Sequence, residues 1–397
     1  MLHGDFVKLL SPEGQALLAQ VAIDTKLDVV KSVSRLRAQG HDAGLVATVL
    51  TQAKLRARGQ AKFGDFAKSM FFTEDGLEQA SRLQVAALHA GRFRSNGIRQ
   101  VADLGCGIGA EAMALAAIDL DVVAVELDEV TAACATYNLA PFENAKVLNQ
   151  DVTAMDLSEF EAQFFDPARR ELGSAREKAA RKYDPAQFSP NFDWILEQAR
   201  ERPTGIKLGP GHPHEAIPED CEAQWVSDHG DLVELTLWFG SLARDGVARS
   251  ALLIANGNRY ELQSSEANPA HATLREIGEY IYEPDNAVVR SHLIGVLAEQ
   301  LELGLIAPEI AYLTGDVEVE SPWLRGFKVL ETMAFDRKKL KARLQELGIG
   351  ILEIKKRGSD IVPEVLRKEL GLRGKRAATL IVTRVGDSHR ALLCEAI

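Results

Sequence analysis

The sequence predicts an α/β protein: a doubly wound, mostly parallel sheet in the middle of the chain, a helical segment before it and a smaller α/β segment after it. Three observations lead there. At Val101–Ala116, VADLGCGIGAEAMALA, an apolar run ends at Asp103, a glycine-dense turn follows, and an alanine-rich helical stretch begins. Further short apolar runs recur with helical stretches between them, the rhythm of parallel strands joined by crossover helices. Finally, 397 residues exceed one average domain and leave room for two or three cores. The expected division is a helical domain over 1–70, the sheet domain over 71–260 and a second α/β domain over 261–397.

In the first segment, SPEGQALLAQVA pairs Ser11 as a cap with Pro12 at the first helical position, and Leu17, Leu18 and Val21 give it an apolar stripe. A second helix runs through KLDVVKSVSRLRAQG to Gly40, and a third starts after Asp42 and stops near Gly59. Lys54, Arg56, Arg58, Lys62 and Lys68 cluster at the end of the third helix and in the loop after it, with Asp65 the lone acid among them. Two readings fit: a solvated face whose cations complement the helix dipole, or a surface that contacts phosphates.

In the middle segment, DVVAVELD is a strand ending in Glu126, AKVLNQDVT another ending near Asp151, and AQFFDPARR a third ending at Asp166. A helix at FDWILEQAR, a strand at GIKLGPG and two more strands in EAQWVSDHGDLVELTLWF and VARSALLIAN follow. Ligands of such sheets bind at the carboxyl ends of the strands. Asp103, Glu126, Asp151 and Asp166 all stand there, placed to form one site. The last segment begins in a loop, LQSSEANPAHA, then alternates a strand EYIYEP, a helix AVVRSHLIGVLAEQLELG, a strand near FKVLETMAF and a basic helix DRKKLKARLQELG. The strand GILEIKKRG, the helix PEVLRKELG and the strands AATLIVTRVG and RALLCEA complete it.

The composition, 46% hydrophobic and 26% charged, is that of an ordinary soluble globular protein. MLHGDFVKLL lacks a basic stretch followed by a sustained apolar run, so neither a signal peptide nor a membrane span is expected, and a cytoplasmic location is. Cys106, Cys134, Cys221 and Cys394 lack zinc-site or disulfide-scaffold spacing and read as free thiols, Cys106 as a packing residue of the turn. His212, His214 and Glu215 in GPGHPHEA have no complementary ligand cluster and read as a polar loop, so no metal is expected. A net charge of −11 argues against indiscriminate coating of nucleic acid. Yet Pro322–Arg384 holds 16 Lys and Arg against 7 Asp and Glu, a basic region on an acidic chain.

Spacing alone leaves the ligand of the glycine turn open, because Gly105, Gly107 and Ala110 also satisfy the dinucleotide pattern G-x-G-x-x-G/A. Electrostatics discriminates better. A dinucleotide would bring its anionic pyrophosphate against Asp103, whereas S-adenosylmethionine presents an ammonium and a sulfonium that a carboxylate can hold. Glu126, suited to accept ribose hydroxyls, fits both cofactors. Asp103, the third glycine Gly109 and Asp151 favour the sulfonium compound.

These motifs resemble those of class I S-adenosylmethionine-dependent methyltransferases. VADLGCGIG looks like their first motif, VVAVELD like their second, NQDVT like their adenine-binding strand end, and FFDPARR like their fourth. The resemblance implies a Rossmann-like sheet and cofactor contacts at Asp103, Gly105, Gly107, Gly109, Glu126, Leu127, Asp151, Val152 and Asp166. Upstream, FFTEDGLEQAS is similar to the segment that covers the methionine end of the cofactor in RNA methyltransferases of the trimethylguanosine synthase type, which implicates Phe72 and Thr73. GILEIKKRG, LRKELGLRG and ATLIVTR resemble a bacterial family of such enzymes with a C-terminal THUMP-like domain, which implies RNA, tRNA or rRNA, as partner.

In the fourth motif of amino-directed enzymes the first side chain and a backbone carbonyl take hydrogen bonds from the target amine, and a final aromatic stacks on the base. Here Asp166 and Pro167 match, while Ala168 and Arg169 replace the second proline and the aromatic. The resemblance therefore assigns catalysis to Asp166, Pro167 and Arg169, with Arg169 or Arg170 as a guanidinium stacking plane or phosphate grip. Phe165 reads as core. The basic run ARRELGSAREKAARKYDP reads as a loop or helix over the site, or as a solvated face. An RNA methyltransferase is the leading expectation. A small-molecule or protein methyltransferase, a non-catalytic RNA-binding or assembly protein, and more distantly an NAD-dependent dehydrogenase are the alternatives.

Overall fold

The computed structural model describes residues 3–22, 29–169, 188–386 and 388–397, apart from the side chains of 22, 29–31 and 169. The chain divides into two compact units, the first being Met1–Leu208 with Pro213–Ala216 and Leu237–Arg244, the second Gly209–His212, Ile217–Thr236 and Asp245–Ile397.

The first unit opens with helices α1 (His3–Leu10), α2 (Pro12–Ala22), α3 (Val29–Ala38) and α4 (Ala43–Phe63). The expected caps form: Ser11 Oγ accepts from the Gly14 amide at 3.1 Å, and Asp42 from that of Leu45 at 2.9 Å. The third expected helix, however, runs past Gly59 to Phe63. A Cβ on Gly59 would lie 2.9 Å from Phe72 Cζ, so this glycine makes room for an aromatic ring and does not end the helix.

Arg56, Arg58 and Lys62 of α4 follow neither of the two expected readings. Arg56 Nε donates to Met70 O at 2.9 Å and its guanidinium lies 4.9 Å from the Phe71 ring centroid; Arg58 pairs with Glu74; Lys62 Nζ donates to Glu78 O and Ala80 O at 2.7 and 2.6 Å. Gln52 completes the series by donating to Phe72 O and accepting from its amide at 2.5 and 3.1 Å. Together these side chains fasten segment 70–80 along α4.

Helices α5 (Glu74–Gln79) and α6 (Leu83–Ser95) lead into strand β1 (Gln100–Leu104), helix α7 (Ala110–Ala116), strand β2 (Asp121–Glu126), helix α8 (Glu129–Leu139), and strands β3 (Ala145–Asn149) and β4 (Ala162–Phe165). A short ribbon pairs β5 (Ala168–Arg169) with β6 (Phe188–Ser189), and helix α9 (Phe192–Glu201) precedes strand β7 (Thr204–Leu208). These main strands are parallel in the order β7-β4-β1-β2-β3. Every residue of α7 is buried, which explains its alanines: small side chains let a helix pack closely. The order reverses between β1 and β4, which opens a cleft at their carboxyl ends, where such sheets take ligands.

In the second unit, β8 (Glu222–Asp228) pairs in parallel with β10 (Arg249–Ala255), and β10 pairs antiparallel with β11 (Asn258–Ser264). Strand β9 (Asp231–Phe239) falls in the first unit from Leu237 onward. β11 occupies part of the expected loop, because Asn256 and Gly257, at φ +52° and +74°, make the tight hairpin that Asn-Gly favours. A seven-stranded sheet follows, ordered β13-β14-β12-β15-β18-β17-β16. Its strands are β12 (Tyr280–Pro284), β13 (Gly304–Ala307), β14 (Ile310–Gly315), β15 (Leu324–Ala334), β16 (Ile349–Arg357), β17 (Arg376–Val385) and β18 (Ser388–Ala396).

The single helix expected over AVVRSHLIGVLAEQLELG is two, α10 (Asn286–Arg290) and α11 (Ile294–Gln300), broken where His292 takes φ +62°. Helices α12 (Arg337–Glu346) and α13 (Pro363–Leu370) bury Leu340, Leu344, Leu366 and Leu370 with Leu380, Val382 and Leu393 of the sheet. The alternate residues Ile381, Leu392 and Cys394 join a second cluster, as period-two side chains on opposite faces must. Among the described residues no helix is long and apolar enough to cross a membrane.

Candidate active site

Register brings the strand ends level. Leu104 sits opposite Val125 and Phe165, Glu126 opposite Asn149, and Phe165 opposite Ile206. Beyond these pairs the chain leaves the sheet around a cavity of about 750 Å³, within the size range of small-molecule pockets. Thr73, Asp103, Gly105, Gly107, Glu126, Leu127, Asp151, Val152 and Asp166 line it, so most of the residues named from sequence converge.

Three do not line it. Phe72 is fully buried against Phe63, with ring centroids 5.7 Å apart, and its main chain is held by Gln52, so it supports the wall from behind. Gly109 caps α7 at φ +86°, where a Cβ would lie 3.3 Å from Leu139 Cδ1, so its place is one of packing. Pro167 is buried outside the lining. The side chain of Arg169, Arg170 and the basic run through residue 187 lie outside the described residues.

The turn is built by backbone. Gly105 and Cys106 amides donate to Val125 O at 2.9 and 3.0 Å, and the Asp166 amide donates to Leu104 O at 3.1 Å. Gly105 takes φ +82°, and a Cβ there would fall 2.8 Å from Asp166 O. The first glycine thus serves twice, for its left-handed backbone and for the close approach of the fourth motif. Gly105→Ala should lower stability by about 1–2 kcal/mol from the backbone alone and shift Asp166. Thermal unfolding and calorimetric titration with cofactor check this; unchanged unfolding and affinity would refute it.

Glu126 spans the turn: Oε2 accepts from the Gly107 amide at 3.0 Å and Oε1 from the Asp128 amide at 2.8 Å. Burial raises its pKa, and the two amides pull the other way. Each oxygen keeps a lone-pair direction for a ligand hydroxyl. Asp151 is exposed, and hydrogen bonds from the Thr153 side chain and amide lower its pKa.

Asp103 lies at the floor, fully buried, and neither oxygen has a hydrogen-bond partner of normal geometry. Burial, then the neighbouring carboxylates of Glu111 and Asp166, push its pKa well above the usual range. Glu111 is itself buried, 3.2 Å from His89 Nδ1. All four cysteines are buried and none is joined in a disulfide; burial first, then Asp103 and Glu126, raise the Cys106 thiol well above its ordinary value, which leaves it no nucleophile.

Sequence reasoning did not find Glu111, Asp128, Glu129 and Asp75, which also line the cavity. With the four acids named earlier they make eight carboxyl groups, and no Lys or Arg lines the cavity among the described residues. A diphosphate entering this wall would be repelled, whereas an ammonium and a sulfonium would be attracted. The orphaned Asp103 carboxylate, the Gly105 cradle and the Glu126 acceptor pair therefore fit S-adenosylmethionine. Glu126 would hold its ribose, and the Asp103 end its cationic portion. Among the described residues no group of three or more His, Cys, Asp or Glu is placed to hold a metal ion.

Comparison with known proteins agrees with this chemistry. Residues 66–173 match the methyltransferase small domain, 324–396 a THUMP domain-like family, and 3–59 a domain of unknown function. An uncharacterized S-adenosylmethionine-dependent methyltransferase of Mycobacterium tuberculosis, the same in strains CDC 1551 and H37Rv, is 33% identical over 350 residues, 86% of this chain and 92% of the relative. The solved structure of a candidate methyltransferase from Porphyromonas gingivalis W83 shares the fold, with a TM-score of 0.71 at 20% identity over 96% of this chain and 98% of that one.

Proposed function

We propose that this chain, which belongs to the family of S-adenosylmethionine-dependent methyltransferases represented by its mycobacterial relative, methylates a nucleotide of RNA, in tRNA or rRNA, in the cytoplasm. In this assignment residues 71–260 are the catalyst, 1–70 brace the segment that walls its cofactor site, and 261–397 grip RNA. Glu126 receives the ribose hydroxyls, and Leu127, Asp151 and Val152 flank the adenine. Asp103, Thr73 and the turn at Gly105 and Gly107 take the methionine end, and Asp166 faces the acceptor.

When bound, the cofactor supplies a methyl carbon whose sulfonium leaves as a neutral thioether as the acceptor's lone pair takes the methyl. The protein's part is alignment and exclusion of water. Asp166 is the acceptor's hydrogen-bond partner, and its main chain is fixed by the hydrogen bond its amide donates to Leu104 O and by packing over Gly105.

One observation carries the RNA assignment. Within the THUMP-like region most arginines are spent on carboxylates, Arg325 on Glu353, Arg337 on Glu369 and Arg343 on Glu331, but Lys338, Lys339, Lys368, Arg373 and Lys375 are exposed and make no ion pair among the described residues. They lie on α12, on α13 and in the loop that follows it. Exposed cations without partners attract a polyanion and release its counterions. Labelled methyl groups should enter RNA from cells lacking the gene, and RNA affinity should fall steeply as salt rises; if such RNA stays unlabelled, the assignment fails. The net charge of −11 favours a second acceptor, a small molecule, for which the label would appear only in the low-molecular-weight pool.

A further inference from the structure

Lys207 stands in the strand GIKLGPG, which no motif marks. Because β7 lies beside β4 with Ile206 opposite Phe165, the following residues, Lys207 within β7 and Asp166 just past the end of β4, come side by side. Lys207 Nζ lies 2.7 Å from Asp166 Oδ2 and donates to Gln79 O, also at 2.7 Å. The lysine side chain is 11% exposed and the aspartate 28%. An ion pair this sheltered is much less screened than a surface pair. Asp166 and Gln79 both line the cavity, so the ammonium ties the acceptor-side carboxylate to the segment that walls the site.

We propose that Lys207 is a positioning residue for Asp166, holding its carboxylate ionised and in place so that the site takes acceptors presenting N–H hydrogens, such as an exocyclic base amine. The proposal rests on the methyltransferase function above and narrows its substrate. A carboxylate kept ionised only accepts hydrogen bonds; it attracts an amine's N–H groups and repels the lone pair of a bare ring nitrogen. Beside an ammonium it is also a weak base, so its contribution is alignment. The acceptor lone pair forms the new bond to carbon as the carbon–sulfur bond breaks, the electrons stay on sulfur, and the released N–H proton passes to water. Two further groups act electrostatically on both members of the pair: Asp103, itself next to Glu111, and Lys62, itself next to Arg82 and Glu78.

The test uses the full chain with Lys207→Met, Lys207→Arg and, should the first not fold, Lys207→Gln. The carbon-13 carboxyl resonance of Asp166, assigned by its loss in Asp166→Asn, is followed against pH in the absence of any acceptor. Its midpoint should rise by about one to three pH units in the methionine or glutamine variant and stay low in the arginine variant. An unchanged midpoint in the neutral variants overturns the proposal. With RNA from cells lacking the gene, the neutral variant should lose at least about tenfold in turnover at unchanged KM for cofactor, its acid limb should move by the same interval, and arginine should restore both. Nucleoside mass spectrometry showing methyl on a ring nitrogen that bore no hydrogen would also overturn it. If wild-type protein leaves RNA unlabelled while the carboxyl titration behaves as stated, the RNA assignment falls and the Lys207 role stands.

Discussion

Replacing Asp166 with Asn should leave S-adenosylmethionine bound and reduce methyl transfer by about 100-fold or more, because misplacing one reacting partner costs that much in a reaction run by alignment. The substituted amide is nearly isosteric with the carboxylate. It would keep an oxygen for Lys207 and leave the main-chain bond to Leu104 intact, so the wall around Gly105 should persist. What disappears is the anionic acceptor aimed at the substrate. Calorimetry for the cofactor and single-turnover methylation of RNA from cells lacking the gene separate the two effects. Undiminished transfer would mean that Asp166 is a turn former only, and loss of cofactor binding would mean that the substitution disturbed the wall itself. The experiment also bears on the alternative of a non-catalytic RNA-binding protein, which the departures at Ala168 and Arg169 kept open in the sequence.

The second large effect is expected at Asp103. Its pKa is raised in the folded protein by burial and by Glu111 and Asp166, so the folded chain holds a proton that the unfolded chain releases near pH 4. The sign follows from linkage: stability associated with this proton is present below the unfolded value and is lost as pH rises through the raised folded value. Asp103→Asn should therefore match the wild type near pH 4 and exceed it at pH 8, by about 1–3 kcal/mol for relief of an unpartnered buried group. Binding should move the other way. A cationic ligand favours the ionised carboxyl, so wild-type affinity should climb with pH through the raised midpoint. The Asn variant should lose that slope and about 10- to 100-fold in affinity, the worth of one charge-assisted contact. Chemical denaturation and cofactor titration at pH 4 to 8 check both. A variant that binds as tightly, with the same pH slope, would remove Asp103 from the cofactor's charge recognition.

Much of the site was legible because strand ends announce themselves. Each apolar run that stops at an acid, Glu126 in VVAVELD or Asp166 in FFDPARR, marks a place where the chain leaves a parallel sheet on its ligand-binding side. The glycine turn was legible in the same way, and within it Gly105 takes a positive φ. Phe72 misled for a comparable reason: a residue next to a wall residue shares its sequence signal, but Thr73 faces the cavity while Phe72 packs under Gly59. The broken helix at His292 and the hairpin at Asn256–Gly257 were local signals read too coarsely.

The α4 cations mark the limit of charge patterning. A run of Lys and Arg looks the same whether it faces water, phosphate or carbonyl oxygens, and here Arg56 and Lys62 reach the carbonyls of segment 70–80. Burial, with Lys207 and Arg82 nearby, lowers the Lys62 pKa to about 8, a degree of desolvation that no composition could reveal.

From sequence alone came the strand–turn–helix, the acids that end the strands and the preference for a cation over a diphosphate, since each depends on neighbours along the chain. Only the tertiary structure decided that eight carboxyl groups share one wall and that Lys207 meets Asp166. Those depend on strand order: β7 lies beside β4, and no spacing in a sequence states which strands will be neighbours.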